Sequence, residues 1–282
     1  MKGLSMKYLP LAFALLLISS VTHAAAHPNI VFILVDDYGW RDVSLEGSTF
    51  YETPNIDALA ARGTRFLRAY MPAGVCSPTR SAIITGMHQT TIGAHQHYSS
   101  FETWRGIEMD EWDPNYLGVR TIPEILRLAR YHTFNKGKLH YNFVYDITQL
   151  YDSQQNRMNF QGAENGACWS GCPEGRPFFG QIQMTGGKTR TKKITDRDAV
   201  EVPPYYPDCP EVREAIAHHY DTILDLDAAV GRITAALERD GLLENTVVFF
   251  FSDHGMSLMR HKQFLYEGGI RVPCILAGPG IP

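Results

Sequence analysis

The chain has 282 residues, with 26 Lys plus Arg, 30 Asp plus Glu and a formal net charge of −4. Proteins that bind nucleic acid by neutralising phosphates carry a basic excess, so the composition excludes that class. With 44% hydrophobic and 20% charged residues, the chain has the composition of a globular protein with a packed core.

The first 26 residues have the pattern of a cleaved export signal. Lys2 and Lys7 precede an apolar run from Leu9 to Ile18, and small residues follow it. The run is too short to cross a bilayer comfortably, and a basic flank with a small-residue end is typical of a signal peptide. We therefore expect cleavage after Ala24 or Ala26, a periplasmic or secreted protein and no stable membrane span. An uncleaved anchor helix is the alternative.

The exported part contains five cysteines, which are Cys76, Cys168, Cys172, Cys209 and Cys274. An odd count in an oxidising compartment leaves at least one cysteine unpaired or chemically special. Cys168 and Cys172 lie in a Gly-rich segment, where a local disulfide and two free thiols are equally compatible with the spacing.

Strand and helix patterns alternate along the chain. Continuous apolar runs predict buried strands over residues 29–35, 178–184, 246–252 and 273–277. Helices are predicted after an N-cap at Thr53, after a capping box at Thr121, and over residues 211–239. This alternation predicts an α/β fold with a mostly parallel sheet sandwiched between helices. Asp227 is the one charge on the apolar stripe of the long helix, and we interpret it as a carboxylate hydrogen-bonded inside the structure.

Acidic residues follow two of the predicted strands directly. Asp36 and Asp37 come after the first strand, and Asp253 and His254 follow the strand that ends at residue 252. Ligands of open α/β sheets bind beyond the carboxyl ends of the strands. Together the two pairs supply oxygen ligands for a hard divalent cation.

The motif Cys76-Ser77-Pro78-Thr79-Arg80 opens a short helical run. A cysteine at a helix N-terminus with an arginine one turn later has a lowered thiol pKa and favours anions. A generic reactive thiol is the first hypothesis from these residues alone.

The fuller pattern resembles the sulfatase family, whose signature C-x-P-x-R is matched by Cys76, Pro78 and Arg80. Four further blocks follow the family's order and extend the resemblance over most of the chain. They are HPNIVFILVDDYGW (27–40), TPNIDALAARGTRF (53–66), GKLH (137–140), and SDHGM (252–256) with HKQFLYEGGIRVP (261–273). The resemblance implies the alkaline-phosphatase-like α/β sandwich and hydrolysis of a sulfate ester or sulfamate, with a sulfated sugar among the expected substrates.

The resemblance also implies a modified nucleophile. Cys76 would be oxidised to formylglycine (3-oxoalanine) by a formylglycine-generating enzyme, and its hydrated aldehyde would attack sulfur. Calcium, with magnesium as the alternative, would be bound by Asp36, Asp37, Asp253, His254 and an oxygen of the modified Cys76.

Basic residues complete the implied site. Arg80, Lys138, His140 and Lys262 match the family's residues around the formylglycine and the sulfate, and Asp253 would take a proton from the diol. Several fixed cations suit a transition state with several negative oxygens.

The chain departs from the family in two places. Many sulfatases have a leaving-group histidine where this chain has Thr185, so Lys188, His95 and His97 are the candidate substitutes. Family members also continue into a C-terminal subdomain, so we expect residues 27–282 to form a truncated N-terminal catalytic domain of reduced stability.

Two alternative functions stay open. One is a phosphonate or phosphate ester hydrolase with the same nucleophile, and the other is a non-catalytic remnant.

Overall fold

The computed structural model describes residues 27–95, 118–143, 145–158, 160, 168–187 and 191–282. The predicted export signal, His97 and Lys188 lie outside these ranges. Among the described residues, no helix is both long and apolar enough to cross a membrane.

Seven strands form the central sheet in the order β2-β9-β7-β1-β6-β4-β5, and β3 pairs with β8 in a separate ribbon. The strands are β1 (Asn29–Asp36), β2 (Gly63–Arg65), β3 (Ala69–Tyr70), β4 (His132–Lys136), β5 (Ser153–Gln155), β6 (Phe178–Thr185), β7 (Thr246–Ser252), β8 (Arg271–Val272) and β9 (Cys274–Ala277). The helices are α1 (Pro54–Ala60), α2 (Cys76–Thr85), α3 (Ile122–Leu128), α4 (Ile147–Leu150), α5 (Pro210–Arg239) and α6 (Glu267–Ile270).

The five strands from β7 to β5 pair in parallel, whereas β9 and β2 are antiparallel to their neighbours. The predicted α/β fold with a mostly parallel sheet is therefore confirmed. Antiparallel strands at one edge are common in such sheets, and they do not change the crossovers between the parallel strands.

Helices cover both faces of the sheet, which explains why β1 is apolar without alternation. Val31 and Ile33 face a core shared with α1 and α5, whereas Phe32 and Leu34 face a second core shared with α2 and α4. A strand buried on both faces gains from apolar side chains at every position.

The capping box at Thr121 is confirmed, since its hydroxyl accepts from the Glu124 amide and the Glu124 carboxylate accepts from the Thr121 amide. The predicted cap at Thr53 is wrong in its chemistry. Thr53 occupies the N-cap position of α1, but its hydroxyl is bonded to Ser44 and Asp57 instead of to the helix amides.

Asp227 of α5 supplies the missing cap of α1. Its carboxylate accepts from the backbone amides of Asn55 at 3.1 Å and Ile56 at 2.9 Å, and from the Asn55 side-chain amide at 2.6 Å. This confirms the interpretation of Asp227 as an internally bonded carboxylate. It also explains how a charge is tolerated on the buried stripe, since buried charges need such partners.

We expect Asp227→Ala to lower the free energy of unfolding by about 2 to 3 kcal/mol, because two backbone amides of α1 lose a buried acceptor. Urea unfolding of the variant measures this loss. Asp225→Asn, on the exposed side of the same helix, is the matched control, and we expect a change within about 0.5 kcal/mol. An equal loss in both variants would contradict the capping role.

Candidate functional site

The ends of β1 and β7 bring the two acidic pairs together. Asp36 is the last residue of β1, and the Asp253 amide, directly after β7, donates to the Val35 carbonyl at 3.0 Å. Parallel strands end at the same edge of the sheet, so the residues that follow them share one location. Asp37 adopts a left-handed backbone conformation with φ 63°, which aspartate tolerates better than most residues.

Four buried residues offer ligand atoms that all lie within 4.8 Å of one another: Asp36, Cys76, Asp253 and His254. Calcium–oxygen distances of about 2.3 to 2.6 Å put ligands on opposite sides of one ion up to about 5 Å apart, so the spacing fits such an ion. The buried Oδ1 of Asp253 makes no hydrogen bond within the described part of the chain, which leaves an acceptor for a cation. Asp37 is outside this set, although its Oδ1 lies 3.4 Å from His254 Nε2.

His254 presents one ring nitrogen to this cluster. Its Nδ1 lies 2.8 Å from the Gly255 carbonyl and therefore carries a hydrogen, so Nε2 faces Asp253 and Asp37, at 3.4 Å from each. Burial lowers the pKa of His254, but the Asp253 carboxylate and the Cys76 sulfur overcome this and raise it to about 9. The imidazolium offsets part of the negative charge of the neighbouring carboxylates. Nε2 would serve as a ligand to a bound cation once it has lost its proton.

Cys76 is the first residue of α2 and is buried beneath the cluster. Its Sγ lies 3.0 Å from His254 Nε2 and 3.2 Å from Asp36 Oδ1. Burial raises the pKa of the thiol, but the hydrogen bond with His254 helps to bring it below its usual value. The residue singled out in the signature is thus at the centre of the acidic group.

Arg80 lies one turn further along α2 and is 1% exposed. Its Nε donates to Asp253 Oδ2 at 2.8 Å, and its Nη1 donates to Gln183 Oε1 at 2.6 Å. Its Nη2 is buried and makes no hydrogen bond within the described ranges. An unsatisfied guanidinium donor beside the cluster is suited to an anionic oxygen.

Two lysines reach the same carboxylates from different loops. Lys138 Nζ donates to Asp36 at 2.7 Å, and Lys262 Nζ donates to Asp37 at 2.7 Å while lying 3.5 Å from Cys76 Sγ. His140 is partly buried and has a left-handed backbone conformation with φ 57°.

Of the three candidate leaving-group acids, His95 is the one that lies within the described residues. Thr185 ends β6 and pairs in register with Asp36, so the position is next to the site but holds a hydroxyl. His95 is exposed.

All five cysteines are unpaired, which corresponds to the free-thiol alternative for Cys168 and Cys172.

The sequence reasoning missed Gln183, the second partner of Arg80. Gln181 and Gln183 are each 1% exposed on β6, and Gln183 also donates to Asn135 Oδ1 at 2.9 Å. Two glutamines at alternate positions of an otherwise apolar, doubly buried strand were the available signal, because buried amides need partners on that face.

The sequence reasoning also missed a buried pair next to the turn that follows β1. His219 Nε2 of α5 lies 2.6 Å from Asp42 Oδ2, both side chains are 2% exposed, and Asp42 also accepts from the Gly39 amide at 2.7 Å. A Cβ on Gly187 would lie 2.3 Å from His219 Nδ1. The amide of Gly187 in turn donates to the Asp37 carbonyl at 3.4 Å. His219 therefore packs between the loops that follow β1 and β6.

We expect His219→Ala to lower the free energy of unfolding by about 3 to 5 kcal/mol, because it leaves the buried Asp42 carboxylate without its side-chain partner. His219→Gln retains an N–H donor and should lose clearly less. Thermal and urea unfolding of the two variants measure the difference. Equal losses would mean that the side-chain volume, and not the hydrogen bond to Asp42, stabilises this turn.

The family model described as Sulfatase matches residues 28–198 and 187–282. The chain belongs to the sulfatase family.

Curated sulfatases are similar over nearly the whole chain. The ulvan-active sulfatase of Formosa agariphila is 28% identical over 89% of this chain and 48% of its own length, and human arylsulfatase A is 28% identical over 94% and 62%. The chain thus spans about half to three fifths of the length of these relatives.

A solved structure of a protein in complex with its substrate D-glucosamine-2-N,6-O-disulfate has the same fold as this sulfatase chain. The two share a TM-score of 0.65 and 18% identity, over 90% of this chain and 71% of the other. At this identity the likeness shows the shared fold.

Proposed function

We propose that this sulfatase hydrolyses an organic sulfate ester or sulfamate, with Cys76 as its nucleophile after conversion to formylglycine. The main support is the pairing of two unsatisfied buried atoms around Cys76. Asp253 Oδ1 is an acceptor and Arg80 Nη2 is a donor, and neither makes a hydrogen bond in the part of the chain that the structure describes. A site that holds a cation and an anion side by side uses both atoms.

The charges support the same proposal. Three carboxylates (Asp36, Asp37, Asp253) face three permanent cations (Arg80, Lys138, Lys262), so their formal charges cancel. A divalent cation would give this neutral set of groups a net positive charge, and the site would then attract an anionic ester. We propose calcium, with magnesium as the alternative, held by Asp36, Asp253, His254, Asp37 and an oxygen of the modified Cys76; the ion would neutralise the sulfate oxygens.

In the proposed reaction, one hydroxyl of the hydrated aldehyde at residue 76 attacks sulfur. The bond from sulfur to the alcohol oxygen breaks, and the alcohol leaves with a proton. The proton of the attacking hydroxyl passes to Asp253. The second hydroxyl then loses its proton, the carbon–oxygen bond to sulfate breaks, and the aldehyde reforms; addition of one water molecule restores the hydrate and completes the hydrolysis. Lys262 would stabilise charge at the nucleophile, and its Nζ lies 3.5 Å from Cys76 Sγ in support of this role. We assign Arg80, Lys138 and His140 to the sulfate oxygens and Asp253 to proton transfer.

We propose a sulfated saccharide as the substrate and an exported location. The names of the ulvan-active sulfatase and of the structure bound to a disulfated glucosamine support the first part. The basic and apolar pattern at the start of the sequence supports the second.

The test is turnover of matched aryl esters by chain co-expressed with a formylglycine-generating enzyme. We expect release of sulfate from an aryl sulfate at a rate at least tenfold above that of phosphonate from the matched aryl phosphonate, on the scale of about 1.4 kcal/mol of transition-state preference. Faster phosphonate turnover would assign the site to the phosphonate ester class. Metal binding without turnover of either ester would support the non-catalytic alternative.

A further inference from the structure

A cavity of about 790 Å³ lies beside the proposed sulfate site and is formed by other residues. Its rim includes Trp40, Arg41, Tyr205, Arg260 and Tyr266, and the buried Tyr206 forms part of its floor. This volume lies within the range of small-molecule sites, which combine aromatic walls with a few polar groups.

Two guanidinium groups on the rim stack on aromatic rings. Arg41 lies 4.8 Å from the centre of the Trp40 ring, and Arg260 lies 5.4 Å and 5.5 Å from the rings of Tyr205 and Tyr266. Within the described ranges, neither arginine forms an ion pair with a carboxylate. Stacking uses the face of a guanidinium and leaves the N–H groups at its edge available as donors.

The acidic residues of the wall do not cancel these charges. Asp42 is bonded to His219, Glu46 lies 3.6 Å from Arg65, and Glu267 lies 3.4 Å from Arg271. Glu201 is the remaining acid and is exposed. Among the described residues, the cavity thus has two arginines with available donors and one carboxylate, Glu201, without such a partner. This balance favours an anionic ligand that also carries hydroxyl groups, whose hydrogens Glu201 can accept.

The backbone around Arg260 supports a functional role for its position. Arg260 and Gln263 both adopt left-handed conformations, with φ 66° and 74°. A non-glycine residue in this region carries a local energy cost that packing or function must offset. The loop between them also contains His261, which lines the cavity, and Lys262, which contacts Asp37 and the nucleophile. The cavity and the sulfate site therefore share one loop.

We propose that this cavity is a second anion subsite, in which Arg41 and Arg260 bind a carboxylate or sulfate on the sugar next to the one being desulfated. The inference rests on the proposed function, and it narrows the substrate to saccharides with anionic groups on neighbouring sugars. Arg41 and Arg271 both lie over the Trp40 ring, at 4.8 and 3.6 Å, so the Tyr205 ring would supply the aromatic contact with the sugar, while the guanidinium edges of Arg41 and Arg260 donate to the anion.

The test compares four substrates on the matured chain. They are an aryl sulfate, a monosulfated disaccharide whose second sugar is a uronic acid, the same disaccharide with the carboxylate reduced to an alcohol, and a disulfated disaccharide without the uronic acid. We expect Arg41→Gln combined with Arg260→Gln to raise KM for both dianionic disaccharides at least about tenfold, the effect of one or two charge-assisted hydrogen bonds. KM for the aryl sulfate should stay within about twofold, a change well under 1 kcal/mol.

Two variants serve as controls. Arg239→Gln removes an exposed arginine whose partner is Asp240, at 2.9 Å, and it should leave all four KM values unchanged. Arg260→Lys retains the charge and should recover part of the lost affinity. Equal KM values of the wild-type chain for the carboxylate and its reduced counterpart, with no gain from a second sulfate, would overturn the proposal.

A binding arm separates this inference from the proposed function. Calorimetric titration of the Cys76→Ala chain with the uronic-acid disaccharide and its reduced counterpart requires no turnover. Tighter binding of the carboxylate form that is lost in the double glutamine variant would support the subsite even if aryl sulfate turnover failed. Identical affinities in both chains, alongside normal aryl sulfate turnover, would reject the subsite and leave the proposed function intact.

Discussion

Cys76→Ala is expected to reduce sulfate release by at least about 10⁴-fold, on the scale seen when a covalent nucleophile is removed. The variant loses the contacts of Cys76 Sγ with Asp36, His254 and Lys262. The fold should be retained, because these three residues still form ion pairs with one another and with Asp37. Steady-state rates with an aryl sulfate, together with the thermal unfolding midpoint, measure both effects.

Cys274→Ala is the matched control, since Cys274 is also an unpaired, partly buried cysteine but belongs to β9. Its activity should stay within about threefold of the wild type, less than one decade or about 1.4 kcal/mol. Substantial sulfate release by the Cys76→Ala chain would remove Cys76 from the role of nucleophile.

Asp36→Asn is expected to remove metal and activity together. The amide keeps the shape of the side chain but withdraws one negative charge from a ligand set built on carboxylates. It also removes the negative charge that pairs with Lys138 Nζ at 2.7 Å. We expect metal affinity to fall by at least about 100-fold, at or beyond the upper end of losses caused by altering the surroundings of a metal ligand. Equilibrium dialysis against calcium with elemental analysis measures it.

Glu244→Gln provides the comparison for the metal experiment, because Glu244 is an exposed carboxylate whose partner is Arg62 on the surface. Its metal content and turnover should match those of the wild type. Full calcium occupancy in the Asp36→Asn chain would show that the ion is held elsewhere or not by this carboxylate.

The fold was predictable where local pattern and tertiary environment agree. The doubly buried run of β1 and the capping box at Thr121 are set by short-range chemistry, and both are found as predicted. The N-cap of α1 was not predictable in this way. The sequence offers Thr53 as an acceptable cap, but the acceptor that the helix amides use is Asp227, which is far away in sequence. Local pattern carries no information about which helix will supply an acceptor.

The candidate site shows the same division. Asp36 and Asp253 were expected to meet because parallel strands end at one edge, and the structure brings them together with Cys76. Gln183 and the pair of Asp42 with His219 were missed. Their roles depend on which side of a strand or helix is buried against which neighbour, and a polar residue on an apolar stripe signals only that a partner exists. The cavity with Arg41 and Arg260 also required the folded chain, since these residues are far apart in sequence.

The central claim, that Cys76 acts as formylglycine in a sulfatase reaction, is tested most directly by one titration. Preparations with different extents of conversion, obtained by varying the level of the formylglycine-generating enzyme, are analysed by peptide mass spectrometry for the aldehyde at residue 76. Sulfate release from the same samples is then plotted against the converted fraction. We predict a straight line through the origin. Sulfate release that is independent of the converted fraction, or no release from fully converted protein, would contradict the claim.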